Sequence, residues 1–348
     1  MSLNNKNIVP FDKFMSDMLY DVKKGYYMKT NPFGKSGDFI TAPNLSVMFS
    51  EMIAIWCISF LKNKGDQKKI NIIELGAGNG EMTFQIINIF KKLRIKASFY
   101  IVEKSDHLIK IQKKKLSSYG VKWLKSVSNV MTKNNIFLAN ELFDALPVKQ
   151  FVKEKNSWFE IYVKKNFDGK FEYTKIEKNI GEIEKKFKID LSKNQKFIEF
   201  SVDSYNLISN LAKKIKNSKS CLLIIDYGAT QKKMLNSIQA VYKHSYINVF
   251  DKPYLSDISY CPNFYLLKKI VERNKLFVNG ITTQREFLKK LGITERAEII
   301  SKNLPFTEKA NIYYRLKRLI DEKYMGQLFK VMFITKKKSS FNLGFQND

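Results

Sequence analysis

The run Ile70-Asn-Ile-Ile-Glu-Leu75 followed by Gly76-Ala-Gly78-Asn-Gly80 constrains this chain more than any other segment. A short apolar run reads as a buried strand, and Phe84, Ile86, Ile87 and Phe90 continue at helical spacing. Strand, glycine turn and helix in that order begin an α/β unit whose turn lets backbone approach a ligand closely. More units follow: a strand over 97–102, a helix over 106–118, a short run at 121–123, a strand over 135–139, a helix over 203–215 and a buried strand over 221–225. Alternation of this kind predicts a parallel, doubly wound, Rossmann-like sheet.

The glycine spacing also bears on the ligand. A dinucleotide fingerprint places its third glycine one residue later than Gly80, and Glu74 at the strand end would repel a pyrophosphate. S-adenosylmethionine, cationic at its amino group and sulfonium, suits that acid. Glu103 ends the second strand, about 25 residues past the glycines, where an acid can hold ribose hydroxyls. Gly76, Gly78 and Gly80 with Glu74 and Glu103 therefore predict a methyltransferase cofactor site. Trp123 is a candidate to stack on the adenine.

Around this core the pattern changes. Leu45, Met48, Phe49, Met52, Ile53, Trp56 and Phe60 predict an amphipathic helix ending near Lys64-Gly65, within an N-terminal helical and lid segment (1–66). Short strand-like pieces at 148–153, 158–163 and 171–176, with an Asp168-Gly169 turn, predict an antiparallel insertion over 148–196. The core is then 67–147 and 197–348, and 229–262 reads as a long ordered loop. Four helices are expected between 264 and 320, with a closing strand at 329–335.

Composition narrows the chemistry. Three cysteines without a C-x-x-C pair and two histidines argue against a disulfide framework, a zinc knuckle or a metal centre. The N-terminus lacks a signal-type apolar core, and the most apolar stretch, 48–61, contains Glu51 and is too short for a bilayer, so a cytoplasmic or imported matrix protein is expected. Lysine and arginine number 61 against 33 acids, a formal charge of +28. Lysines interleave with carboxylates, as on solvated faces, which disfavours a nucleic-acid partner.

With these motifs in order, the chain resembles the MidA-like protein arginine methyltransferases, the mitochondrial complex I assembly factor family and its bacterial relatives. The resemblance rests on Gly25-Tyr-Tyr27, Phe33-Gly34-x-x-Gly37-Asp38-Phe-Ile-Thr41-Ala-Pro43, Glu74-Leu-Gly-x-Gly-x-Gly80 and Val102-Glu-Lys-Ser105. It continues through Asn140-Glu141-Leu-Phe-Asp144-Ala-Leu-Pro147, Asp226-Tyr227-Gly228, Thr283-Gln-x-x-Phe-Leu-x-x-Leu-Gly292 and Met325-Gly-x-x-Phe-Lys-Val331. It implies a class I methyltransferase fold and symmetric dimethylation of an arginine in an NADH dehydrogenase subunit. The insertion would dock that protein substrate or pair subunits into a homodimer.

A guanidinium acceptor is cationic and barely nucleophilic, so carboxylates must orient it and take its proton. Asn140, Glu141 and Asp144 are the catalytic candidates; Gly37, Asp38 and Thr41 belong to the lid over the cofactor. Asp226, Tyr227 and His244 are candidates for substrate contact. Departures from the family pattern are Ala77 and Asn79 in the glycine turn, harmless to cofactor binding because neither supplies the charge or the turn, while Asn44, Cys261 and Asn263 stand where relatives carry an acid, a His and an Asp near the acceptor site. Loss of those groups raises a second reading, a cofactor-binding assembly factor with little methyl transfer.

Overall fold

The computed structural model describes residues 8–30, 32, 41–63, 65 and 70–345. Its centre is a seven-stranded sheet built from β1 (Asn71–Leu75), β2 (Ser98–Val102), β3 (Lys122–Leu124), β4 (Asn135–Asn140), β5 (Cys221–Tyr227), β6 (Phe277–Thr283) and β7 (Phe329–Thr335). The order across the sheet is β6-β7-β5-β4-β1-β2-β3, with β7 antiparallel to both neighbours and the other pairs parallel. Both faces are covered, so successive residues of a strand enter different cores. Ile72, Leu138, Leu223 and Phe333 pack on one face, and Ile73, Phe137, Leu222 and Met332 on the other.

Helix Val47–Asn63 lies on the first face. The sequence pattern predicts one apolar stripe, yet the helix is buried around most of its circumference because the sheet and helices Glu81–Lys92 and Ile293–Ser301 enclose it. Its acid, Glu51, survives there through a bidentate pair with Arg296, both contacts at 2.8 Å. Trp56, fully buried, stacks on Phe60, meets Phe333 and Phe341 edge-on, and donates its indole N–H to the Leu343 carbonyl at 3.1 Å.

After β4 the chain leaves the central sheet and returns to it at Cys221. Strands Lys149–Glu154, Ser157–Lys165, Phe171–Glu177 and Phe197–Phe200 form an antiparallel sheet joined by Ile8–Pro10. Helix Phe11–Tyr20 continues from that strand and packs through Phe11, Phe14, Met15 and Met18. Lys149 fastens it, reaching Asp12 at 3.0 Å and Glu160 at 2.6 Å.

Two expectations need correction. Residues 229–262 contain a three-stranded sheet, Gln239–Tyr242, Ser245–Ile247 and Asp257–Ser259, whose strands are too short to leave a periodic trace. Strand β6 escapes the pattern because a bulge between Val278 and Gly280 shifts its register. Among the described residues no helix is long and apolar enough to cross a membrane.

Trp56→Ala should cost about 3–5 kcal/mol of stability. Urea unfolding checks this, and a loss below about 1 kcal/mol would mean that this core collapses around the cavity.

Candidate active site

Strand register sets the site. Leu75 pairs with Val102 and with Ala139, and Asn140 pairs with Ile225, so the four strands β1, β2, β4 and β5 end at nearly one level. Gly76, Glu103 and Glu141, just past three of those ends, and Asp226, the penultimate residue of β5, form a row along the carboxyl edge. Between β1 and β4 the strand order reverses, which is where ligands of such sheets bind.

The glycine turn follows from backbone sterics. Gly76, Gly78 and Gly80 have φ of 66°, 53° and 78°, a region costly for residues with a Cβ. At Gly76 an added Cβ would also stand 2.8 Å from Leu142 Cδ1. The Gly76 N–H donates to the Val102 carbonyl at 2.9 Å, fixing the turn against β2.

A cavity of about 290 Å³ opens on this turn, lined among others by Gly76, Gly78, Glu103, Glu141 and Leu142 and by Tyr27 from the N-terminal segment. Glu103 accepts from the Ser105 N–H at 2.9 Å and from Gln112 Nε2 at 3.3 Å, while burial pushes its carboxyl up. Gln112 Nε2 also donates to the Gly78 carbonyl at 2.9 Å, so one amide ties Glu103 to the glycine turn. Trp123 lies outside the cavity wall. Its indole N–H donates to Gln112 Oε1 at 2.9 Å.

A narrow recess beside the cavity is lined by Thr41, Asn44, Glu74, Gly78, Asn79 and Glu141. Glu74 is buried and accepts from the Thr83 hydroxyl; burial raises it to about 7. Asn79 donates to Asn44 Oδ1 at 2.8 Å, and Asn44 donates to Thr41 Oγ1 at 2.7 Å. Two departures from the family pattern therefore meet each other and pin Thr41 to the glycine turn. Gly37 and Asp38 lie outside the described residues.

Acids gather on and around the turn after β4. Glu141 has φ of 51°, an uncommon state for a residue with a Cβ, and its N–H donates to the Ile225 carbonyl at 2.9 Å. Its carboxylate accepts from the Ala42 N–H at 3.2 Å and Asn140 Nδ2 at 3.1 Å, and burial raises it to about 7. Asn140 Oδ1 is buried without a partner. Asp144 is pushed well up by burial and by the charges of Asp226, Asp257 and Glu141. Asp257 accepts from the Tyr27 hydroxyl at 2.8 Å, and Tyr27 stacks on Tyr20, whose hydroxyl donates to the Ala145 carbonyl at 2.8 Å.

Other expected contacts fall elsewhere. Asp226 is fully buried and accepts from the Leu142 and Phe143 N–H groups at 3.0 and 2.7 Å, so it supports the acid turn from beneath. Tyr227 is half-buried against Phe329. His244 is exposed at a hairpin tip, where Lys243 and His244 both have positive φ, as a two-residue turn demands. Asn263 caps helix Phe264–Arg273 through the Leu266 N–H at 2.9 Å, a role Asp and Asn fill alike. Tyr20, Tyr27 and Asp257 were not predicted as site residues. Gly25-Tyr-Tyr27 stood among the motifs, but Tyr27 and Asp257 are 230 residues apart and no local pattern links them.

The donor set fits a ligand with a cationic end, near Glu74 and the orphaned Asn140 oxygen, and a hydroxyl-bearing sugar near Glu103. Fold and site together define an S-adenosylmethionine-dependent methyltransferase. Residues 52–282 match the family described as "Putative S-adenosyl-L-methionine-dependent methyltransferase", and the chain belongs to that family. It is 31% identical over 301 residues to the Caenorhabditis elegans protein arginine methyltransferase NDUFAF7 homolog, mitochondrial, covering 78% of this chain and 70% of that protein. The Danio rerio protein arginine methyltransferase NDUFAF7, mitochondrial, is 26% identical over 344 residues, 91% of this chain and 81% of that one. A Burkholderia thailandensis crystal structure bound to S-adenosyl-homocysteine shares the fold, with TM-score 0.82 and 22% identity over 98% of this chain and 89% of that one.

Glu74 and Glu141, raised to about 7, and Asp226, raised to about 8, bind protons in the folded state that the unfolded chain releases near pH 4. Their contribution to stability is full below pH 4 and is lost as pH rises through 7 to 8. The urea midpoint of the ligand-free protein should therefore fall between pH 5.5 and pH 8, and Glu74→Gln should flatten the slope. A midpoint that rises over this interval in the wild type would contradict the burial of these groups.

Proposed function

We propose that this protein methylates arginine in a protein partner, adding two methyl groups symmetrically, and that the partner is a subunit of the respiratory NADH dehydrogenase. The observation that carries the reading is Glu141, a half-buried acid lining a cavity that opens on the glycine turn, with Asp144 three residues on in the same turn, its carboxyl pushed up by burial and by the neighbouring acids. The relatives, named as protein arginine methyltransferases, support arginine as acceptor. Their mitochondrial location supports a matrix protein if the source is eukaryotic; in a bacterium the compartment would be the cytoplasm.

Glu103 would take the ribose hydroxyls, and Glu74 with Asn140 Oδ1 would face the cationic end of the cofactor. When bound, S-adenosylmethionine supplies a sulfonium methyl whose bond electrons return to sulfur as a guanidinium nitrogen bonds the carbon. The chain's own part is positional and electrostatic. Glu141 and Asp144 present two carboxyl groups to the planar, forked guanidinium, hold its charge on the nitrogens that do not react, and Asp144 accepts the proton that the methylated nitrogen loses. Tyr20 and Tyr27 line the same cavity.

The assembly-factor reading loses part of its motive. Asn44 has a partner in Asn79, and Asn263 serves as a helix cap, which leaves Cys261 as the remaining departure.

Glu103→Ala should weaken cofactor binding by about 1–3 kcal/mol, read by calorimetric titration with S-adenosylmethionine. Asp144→Asn should keep that affinity and abolish the gain of two methyl groups on the co-expressed NADH dehydrogenase subunit, read by intact mass. Wild-type binding with no mass gain on any partner would favour the assembly-factor reading, whereas equal loss of binding and turnover in Asp144→Asn would make that residue structural.

A further inference from the structure

Asp226 is fully buried, and its two oxygens have different fates. Oδ2 accepts from the Leu142 and Phe143 N–H groups at 3.0 and 2.7 Å, while the Glu141 N–H donates to the Ile225 carbonyl at 2.9 Å. Three bonds from the end of β5 thus hold the turn that carries Glu141, at φ of 51°, and Asp144. Oδ1 is buried with no hydrogen-bond partner. A carboxylate oxygen left in that state is costly, and a proton on it removes the cost.

The surroundings favour the proton. Glu141 and Asp144 face Asp226 from the turn after β4; Tyr260 and Cys261 approach from the segment after strand Asp257–Ser259. Lys330 is directly cross-strand on β7, yet its ammonium donates to the carbonyls of Gln327 and Leu328. Burial and Glu141 raise Asp226 to about 8, and Asp226 in turn helps raise Asp144.

We propose that Asp226 is the positioning residue of the acceptor site: it holds the turn that aims Glu141 and Asp144, and it shares with Asp144 a proton that leaves to solvent when the substrate guanidinium enters. The inference rests on the arginine reading above. In the empty site the shared proton limits repulsion among the acids, since close carboxyl groups do not all ionise together. The incoming cation takes over that task, the O–H proton passes to water, and the clamp gains a negative charge as its ligand arrives. After transfer the proton shed by the methylated nitrogen returns to the pair, restoring the empty-site state. A neutral or anionic acceptor would not displace the proton, so the pair also selects for cations.

The test is calorimetric titration of N-acetyl-arginine amide into the full-length protein saturated with S-adenosyl-homocysteine, in two buffers of different ionisation enthalpy. About one proton should be released per ligand near pH 7 and clearly less near pH 9.5, above the value of about 8 to which burial raises Asp226. Asp226→Asn keeps an oxygen for the two N–H groups and carries no exchangeable carboxyl proton. It should bind S-adenosyl-homocysteine within about twofold of wild type and release clearly less than the wild-type proton count near pH 7. Asp226→Ala, which frees the turn, should weaken the arginine probe about tenfold or more. Wild-type binding without proton release at pH 7 overturns the proposal while leaving the arginine reading intact, and so does undiminished release in Asp226→Asn. Absence of probe binding to the wild type overturns both. If Asp226→Asn does not fold, the wild-type contrast between the two pH values decides alone.

Discussion

The parallel pairing of β1 with β2 and β4, and of β4 with β5, is the constraint on which the site depends. Because the pairs stop at one level, four chain segments end side by side, and the turns after β1, β2 and β4 line one crevice while the end of β5 supports the β4 turn. Glycine is needed where β1 turns, since Leu142 from the β4 turn occupies the volume a Cβ would take. Carboxyl side chains appear where β2, β4 and β5 end, at Glu103, Glu141 and Asp226. A one-residue slip of β4 would carry Asn140 and Glu141 to opposite faces and dismantle both cofactor and acceptor ends at once.

The electrostatics of the crevice run against those of the whole molecule. A chain with a formal charge of +28 places Glu74, Glu103, Glu141, Asp144 and Asp226 where no lysine or arginine forms a close pair with them among the described residues. The acids accept instead from hydroxyl and N–H donors: Thr83 for Glu74, Ser105 and Gln112 for Glu103, Ala42 and Asn140 for Glu141, Leu142 and Phe143 for one oxygen of Asp226. Such donors fix geometry without cancelling charge, which leaves the field of the site free to attract a cationic ligand. Away from the site some buried acids do meet a cation, as with Glu51 and Arg296 or Asp12, Glu160 and Lys149, whereas Glu199 accepts from Gln150 and Ser237.

The sequence discloses most readily what is local. Strand, glycine turn and helix at 70–92, and the acids that end β2 and β4, are visible because each needs particular residues within a few positions. The hairpin at Asp168-Gly169 is legible for the same reason, its glycine taking φ of 76°. What stayed hidden is non-local or irregular. The bulge in β6 breaks the alternation that would announce a strand, and the strands at 239–259 have too few residues for a period. Tyr20 and Tyr27 reach the acids because Ile8–Pro10 docks on the inserted sheet and aims the following helix, a relation no local spacing encodes. Trp123 lies within β3 itself, and Gln112, from the helix after β2, takes its only donor, a contact no strand pattern announces.

The same non-local logic explains why some changes of residue type are tolerated near the site. Asn44 and Asn79 each depart from the family pattern, and taken singly each looks like a lost charge. In the fold they form one amide–amide hydrogen bond, which with the Asn44–Thr41 bond keeps Thr41 against the glycine turn. A neutral pair makes the link without adding an acid beside Glu74 or a cation beside the glycine turn, so the recess keeps the negative character that a sulfonium-bearing ligand requires. Asn263 is likewise a cap whose amide oxygen does what a carboxylate would do. Cys261 is different: its thiol, raised by burial to about 12, stays neutral, and it lies close enough to Asp226 and Asp144 to feel their charge. A neutral thiol there adds no cation to compete with the incoming guanidinium, which leaves the acids themselves as the site's exchangeable protons.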